Sequence, residues 1–294
     1  MRTFDGKPSA VVHFQELKNL AGHIVLLDCR PLDDYRFCHI DGALQADVES
    51  MLSSATEPDH DPANGGRHPL PKKGAWEKRL QAWGVQPDSF VVAYDDAWGS
   101  EGAARLWWML SASGVRAAVL DGGWGAAVRG GVEINCDLPT PLSSGIKFND
   151  WLLPTVEMDA VDKARRDPEW MLFDVRSTER WRGEAEDIDP VAGRIQGSRN
   201  IFFKENLEGD FFKNPEGLRK LYLEALDLIP PECAMISCGS GITACHTLLA
   251  LHQAGLSGAS LYIGSFSEWC RNKTGSDIGR GIGENDLYAP NDES

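Results

Sequence analysis

A cysteine at the end of a predicted buried strand is the residue best placed for chemistry. Cys238 follows the apolar run Ala234-Met-Ile-Ser237, and the loop Gly239-Ser-Gly-Ile-Thr243 leads from it into a predicted helix. In an open parallel sheet, ligands bind beyond the carboxyl ends of the strands. The two glycines let backbone amides converge on one point, to which the helix adds its positive end. These features predict a stabilised thiolate, which is a nucleophile able to carry an anionic adduct on sulfur.

The other uses of cysteine are weaker alternatives. A buried cysteine is often a small hydrophobic core residue, and Cys245, further along the predicted helix, is interpreted in that way. The seven cysteines include no Cys-x-x-Cys pair, which argues against a disulfide framework and against a zinc site. We therefore expect no metal and no other cofactor.

The charge balance limits the partners. The chain has 294 residues, with 29 Lys and Arg against 44 Asp and Glu, and a formal net charge of −15. This charge repels nucleic acid and anionic membranes, so an anionic ligand needs a local positive site. No apolar run approaches the length of a membrane span, and the N-terminus lacks a signal-peptide pattern. We expect no nucleic-acid partner, no membrane partner and a cytoplasmic location.

The elements that must position Cys238 occur twice, at a spacing of roughly 145 residues. Each copy begins with an apolar run that ends in Asp-x-Arg, the pattern of a buried parallel strand that meets a polar loop. A second apolar run, a glycine-containing loop and a helical stretch follow. The matching pairs are Ile24–Arg30 with Trp170–Arg176, Phe90–Tyr94 with Cys233–Ser237, and Ala103–Ser113 with Thr243–Ala254.

Alternating strands and helices predict two α/β domains, each with a mainly parallel sheet and helices on both faces. We expect the first domain over residues 1–136 and the second over 151–294, the latter with an irregular C-terminal tail. Residues 137–150 break the periodicity with proline, serine and glycine, and are interpreted as a linker.

Several motifs together resemble the tandem rhodanese-domain sulfurtransferases over about Val11–Trp269. They are the loop Cys238-Gly-Ser-Gly-Ile-Thr243, the paired Asp-x-Arg strands with Arg30 and Arg176, and Asp121-Gly-Gly-Trp124. The resemblance implies two rhodanese-like domains, of which the second carries the nucleophile and the first is a catalytically silent copy. Asp95 takes the position of the cysteine in the first domain, and a carboxylate cannot attack a sulfur atom.

The resemblance also implies the reaction. Cys238 would take a sulfane sulfur from a small-molecule donor as a persulfide and pass it to cyanide or to a thiol, such as thioredoxin or a small thiol. The loop is similar to that of the 3-mercaptopyruvate branch, whereas the thiosulfate branch has Arg and Lys after the cysteine. Thiosulfate is the alternative donor. The donor would contact the loop residues Gly239, Gly241, Ile242 and Thr243.

Arginine is expected to bind the donor carboxylate, because its planar guanidinium pairs with carboxylate oxygens through two hydrogen bonds. Arg180 matches the substrate-binding arginine of the family. The second such arginine of the family is not evident in the shortened segment 186–190. Arg194, which stands where the family has histidine, and Arg182 are the alternatives for that role.

A proton relay is a further implication of the resemblance. Mercaptopyruvate enzymes align a histidine and an acid with the loop serine, which here is Ser240. His68 in Gly66-Arg-His-Pro69 and Glu49 in Ala46-Asp-Val-Glu49 resemble the segments that supply them. Other acids that could pair with the histidine are Asp47, Asp59 and Asp61.

A cysteine phosphatase and a non-catalytic binding module are the alternatives to a sulfurtransferase. A cysteine phosphatase needs an arginine six residues after its nucleophile to hold phosphate, and this chain has Ala244 there. The loop therefore disfavours a phosphatase. A non-catalytic binding module or persulfide carrier stays open, because a complete loop is compatible with a relay to another protein.

Overall fold

The computed structural model describes residues 3–4 and 7–282. Within these residues the chain forms two compact units, and neither is continuous in sequence. The first unit contains the residues up to Pro58, Leu70–Leu153 and Leu207–Pro215. The second contains Asp59–Pro69, Pro154–Asn206 and the described residues from Glu216 onward.

The first unit is built on a five-stranded parallel sheet. Its strands lie in the order Val11–Val12, Arg116–Leu120, Phe90–Tyr94, Ile24–Asp28 and Leu44–Gln45. All five residues of the central strand are buried, which is expected for an apolar run covered by helices on both faces. Its helices are Phe14–Leu17, Leu32–Phe37, Val48–Met51, Lys73–Ala82, Ala103–Ala112 and Gly123–Arg129. Antiparallel pairs form between Thr3–Phe4 and Lys7–Pro8, His39–Ile40 and Ile134–Asn135, and Leu207–Glu208 and Phe211–Phe212.

The second unit repeats this topology. Its five parallel strands lie in the order Thr155–Val156, Ser260–Tyr262, Ala234–Ser237, Met171–Asp174 and Arg199–Asn200. Its helices are Met158–Ala164, Thr178–Arg182, Pro215–Leu226, Ala244–Gln253 and Ser265–Asn272. Short 3-10 helices cover Phe203–Asn206, Pro231–Cys233 and Gly275–Asp277, and Arg194–Ile195 pairs with Ile278–Gly279. The predicted fold class, two α/β domains with parallel sheets, is confirmed. None of the helices in the described residues has both the length and the apolar character that a membrane crossing requires.

The Asp-x-Arg motif forms a buried ion pair at the end of one strand in each unit. Arg30 Nη2 lies 2.7 Å from Asp28 Oδ2, and Arg176 Nη2 lies 2.6 Å from Asp174 Oδ2. Burial alone would lower the pKa of Arg176, but the Asp174 carboxylate outweighs this effect and raises it. Since an unpaired buried charge is costly, the pair fixes the chain direction after the strand in both units.

The first unit has a carboxylate at the position that Cys238 occupies in the second. Asp95 follows the strand Phe90–Tyr94 and accepts hydrogen bonds from five backbone amides at 2.7–3.2 Å. These are the amides of Ala97, Gly99, Glu101, Gly102 and Ala103. Burial raises the pKa of Asp95, and the amides offset only part of that rise. The loop after this strand therefore encloses an anionic group among backbone dipoles.

We predict that Asp95→Ala lowers the free energy of unfolding by about 2–4 kcal/mol, because five backbone amides, three of them in buried hydrogen bonds, lose their acceptor. Asp96→Ala is the matched control, since this neighbouring side chain is exposed. Chemical denaturation followed by circular dichroism measures both variants. Equal stability of the two variants would contradict the role given to the Asp95 carboxylate.

Candidate active site

Cys238 lies where the sequence predicts, directly after the central strand Ala234–Ser237 of the second sheet. The residue is only 2% exposed. The N–H of Gly241 donates to its Sγ at 3.2 Å. Gly241 has φ +76°, a left-handed conformation that glycine adopts without strain and that directs this amide back to the sulfur. The loop thus turns a backbone N–H donor toward the sulfur atom.

The helix Ser265–Asn272 fixes the cysteine loop through its first residues. The N–H groups of Phe266 and Ser267 donate to the carbonyl oxygens of Cys238 and Gly239, at 3.0 and 2.8 Å. The N–H of Cys238 donates to Ser265 Oγ at 3.1 Å. Ser265 has φ +51°, which is uncommon for a residue other than glycine, so the surrounding contacts must hold it there. The loop is thus attached to the neighbouring strand-to-helix connection.

The same helix also binds residues 59–69, a segment from the first half of the sequence. The N–H of Arg67 donates to Ser267 Oγ at 3.0 Å, and the N–H of Gly65 donates to Glu268 Oε1 at 2.9 Å. Asn272 Nδ2 donates to the carbonyl oxygen of Ala63 at 2.7 Å. These contacts are the reason that residues 59–69 belong to the second unit.

This segment brings His68 to the loop serine. His68 Nδ1 lies 2.8 Å from Ser240 Oγ, and Ser240 is 6% exposed. The two residues are therefore hydrogen-bonded, as a proton relay requires. Glu49 lies in the helix Val48–Met51 of the first unit, where Asp47 caps the N-terminus by accepting from the N–H of Ser50 at 2.8 Å. Pairing of Glu49 with His68 stays a prediction.

Two guanidinium groups lie over Gly239. A Cβ added at this glycine would stand 3.2 Å from Arg67 Nη2 and 3.6 Å from Arg180 Nη1. Gly239 is thus needed for close approach, whereas Gly241 is needed for its backbone angle. Sequence reasoning identified Arg180 but missed Arg67. The available signal was its position beside His68, since a segment that brings a histidine to Ser240 also brings the preceding residue.

Two carboxylates hold these arginines in place. Arg180 Nη2 donates to Glu186 Oε1 at 2.7 Å, and Arg67 Nη1 donates to Asp189 Oδ1. Arg271 Nη1 donates to the same Asp189 oxygen at 3.0 Å. Burial would raise the pKa of Glu186, but the hydrogen bonds from Arg180 and from the amides that follow lower it below its ordinary value. The guanidinium groups are therefore fixed before any donor binds.

The described contacts of the alternative arginines, Arg194 and Arg182, involve Trp181 and Gly281. Arg194 stacks on Trp181 with its guanidinium carbon 3.9 Å from the ring centre, and its Nη1 donates to the carbonyl oxygen of Gly281 at 2.8 Å. The carbonyl oxygen of Arg182 accepts from the N–H of Gly281 at 2.8 Å. Ile242, which is 7% exposed, and Thr243 complete the loop before the helix Ala244–Gln253. In the part of the chain described, no group of three or more His, Cys, Asp or Glu side chains is arranged to hold a metal ion.

Comparison with known proteins agrees with this architecture. The rhodanese-like domain family matches residues 13–128 and 157–272. A probable 3-mercaptopyruvate sulfurtransferase of Pseudomonas aeruginosa is 39% identical, covering 84% of this chain and 89% of its own length. A thiosulfate sulfurtransferase of Rattus norvegicus is 32% identical, covering 81% and 79%. Among solved structures, 3-mercaptopyruvate sulfurtransferase from Leishmania major has a TM-score of 0.78 at 28% identity, covering 90% of this chain and 74% of that one.

This chain has two copies of a parallel sheet, with a cysteine loop at the end of one central strand. These features are those of a tandem α/β enzyme. The chain belongs to the rhodanese-like family. Its curated relatives are sulfurtransferases that differ in donor, and the protein is accordingly a sulfurtransferase. The resemblance stated from the motifs is confirmed.

We predict that Arg67→Ala and Arg180→Ala each lower kcat/KM for the sulfur donor about 10- to 100-fold, mainly through KM, because each removes a charged hydrogen-bond donor. Steady-state kinetics with one thiol acceptor measures the effect. Arg36→Ala, at an exposed arginine of the helix Leu32–Phe37, is the control and should leave both constants unchanged. An unchanged KM for Arg67→Ala would remove that residue from the donor site.

Proposed function

We propose that this protein is a 3-mercaptopyruvate sulfurtransferase that holds the transferred sulfur as a persulfide on Cys238. The observation that carries the proposal is the hydrogen bond of 2.8 Å between His68 and Ser240, two residues beyond the cysteine. When 3-mercaptopyruvate gives up its sulfur, the rest of the molecule leaves as the enolate of pyruvate and must take up a proton on carbon. When thiosulfate gives up its sulfur, the rest leaves as sulfite, which is already stable as an anion. A built-in proton relay is useful for the first donor only.

In the first half-reaction the Cys238 thiolate attacks the sulfur of the donor. The new S–S bond forms while the sulfur–carbon bond breaks, and its electron pair passes to the methylene carbon. That carbon takes a proton and becomes the methyl group of pyruvate, and the Ser240 hydroxyl with His68 is placed to supply it. Arg67 and Arg180 bind the carboxylate and carbonyl of the donor over Gly239.

In the second half-reaction an acceptor thiolate attacks the outer sulfur of the persulfide. The S–S bond breaks, its electron pair returns to Cys238, and the acceptor leaves with the sulfur. In both steps the electron pair of the broken bond passes to the leaving group, so the sulfur transfer needs no oxidant or reductant. A small thiol or thioredoxin is the acceptor class we propose, with the cytoplasm as the place of reaction.

Thiosulfate is the second candidate donor, and one observation favours it. Arg67 and Arg180 both reach over Gly239, which gives the site a positive side chain that the loop itself lacks. A dianion is attracted by such a pair. The relative from Rattus norvegicus carries the thiosulfate name, so the choice between donors rests on the relay.

The donor preference is directly measurable. We expect kcat/KM to be higher for 3-mercaptopyruvate than for thiosulfate with the same thiol acceptor, and intact-protein mass spectrometry to show one added sulfur atom after mixing with the donor. Cys238→Ser should show no added sulfur. Equal or reversed values of kcat/KM would overturn the donor assignment, and a sulfur adduct without turnover would instead support a persulfide carrier.

The relay makes a separate prediction. His68→Ala should lower kcat for 3-mercaptopyruvate about 100-fold, which is typical of the loss of general acid–base catalysis, and should change thiosulfate turnover much less. His23→Ala, at an exposed histidine of the first unit, is the control. Identical losses with the two donors would show that His68 serves the fold and not the proton transfer.

A further inference from the structure

Asp189 stands where three arginines from different parts of the second unit meet. Its Oδ1 accepts hydrogen bonds from Nη1 of Arg67 and, at 3.0 Å, from Nη1 of Arg271. Arg180 Nη2 lies 3.8 Å from its Oδ2. The side chain is fully buried. Among the described residues Oδ2 accepts no hydrogen bond, so the carboxylate is held chiefly by charge.

The charges around the cysteine loop nearly cancel. Arg176 pairs with Asp174, and its Nη1 also lies 3.4 Å from Glu186 Oε2. The remaining cations are Arg67, Arg180 and Arg271, which face the carboxylates of Glu186 and Asp189. With Arg176 and Asp174 included, four arginines face three carboxylates, so this group has a net charge of +1 before Cys238 is counted. Without Asp189 the net charge would be +2.

We propose that Asp189 is a specificity-determining residue that cancels one arginine charge, so that the site favours a donor with a single negative charge over a dianion. The inference deepens the proposed function and rests on it, because mercaptopyruvate carries one carboxylate while thiosulfate carries two negative charges. Asp189 has a second effect, since its hydrogen bond to Arg67 sets where that guanidinium lies over Gly239.

The burial of the group makes the effect large enough to measure. Charges that are removed from water are weakly screened, so one added positive charge distinguishes a monoanion from a dianion more strongly than it would at the surface. When one charge is removed within a few ångström of a donor bound at this partly buried group, we expect the preference between the two donors to shift about tenfold.

The test is Asp189→Asn, which preserves the shape of the side chain and removes its charge. The ratio of kcat/KM for thiosulfate to that for 3-mercaptopyruvate should rise about tenfold. Inhibition by sulfate, a dianion, should tighten relative to inhibition by acetate. Asp187→Asn is the matched control, because this exposed acid lies two residues away in the same segment and should leave the ratio unchanged.

Two further variants separate charge from folding. Asp189→Glu retains the charge and should keep the thiosulfate to 3-mercaptopyruvate ratio at its wild-type value. Arg271→Gln removes a positive charge and should lower this ratio. A ratio unaffected by Asp189→Asn in folded protein, or equal loss with both donors, would overturn the proposal. A wild-type preference for thiosulfate would instead overturn the proposed function, whatever the direction of the Asp189→Asn shift.

Discussion

Ser267 joins the two chain segments on which the site depends. Its N–H donates to the carbonyl oxygen of Gly239, at 2.8 Å, and its Oγ accepts from the N–H of Arg67, at 3.0 Å. Ser267, in the first turn of one helix, therefore contacts both the cysteine loop and residues 59–69, and neighbouring residues of that helix add further contacts to each segment. The hydrogen bond between His68 and Ser240, and the approach of two guanidinium groups to Gly239, follow from this attachment.

The two units show how one framework supports two chemical outcomes. Both place a polar group after the central strand of a parallel sheet, and in both a backbone N–H of the following loop donates to that group. In the first unit the group is the Asp95 carboxylate, whose permanent acceptor oxygens satisfy five amides. In the second it is the Cys238 sulfur, which accepts a hydrogen bond from the N–H of Gly241. The strand and the following loop have the same arrangement in both units. The side chain at this position differs, a carboxylate in the first unit and a thiol in the second.

Local sequence patterns were sufficient to predict most of the fold. The strand Phe90–Tyr94 and the helix after Cys238 could be predicted because apolar runs and glycine stops act over a few residues. Asp189 could not, because its ion pair with Arg67 joins residues 122 positions apart and leaves no periodicity in the sequence. Arg67 had only an indirect signal, its position next to His68. Nor does a local pattern say which unit a loop packs against, and residues 59–69 are a loop of this kind.

The non-contiguous composition of the units affects how the chain can be dissected. A protein cut within residues 137–150 would yield a C-terminal fragment that contains Cys238 and its strand but not Arg67 or His68. Such a fragment would retain the sheet and Arg180 but lose Arg67 and the hydrogen bond of His68 to Ser240. A minimal excised enzyme would need residues 59–69 fused to it through an added linker, because the second unit is not encoded in one stretch of the gene.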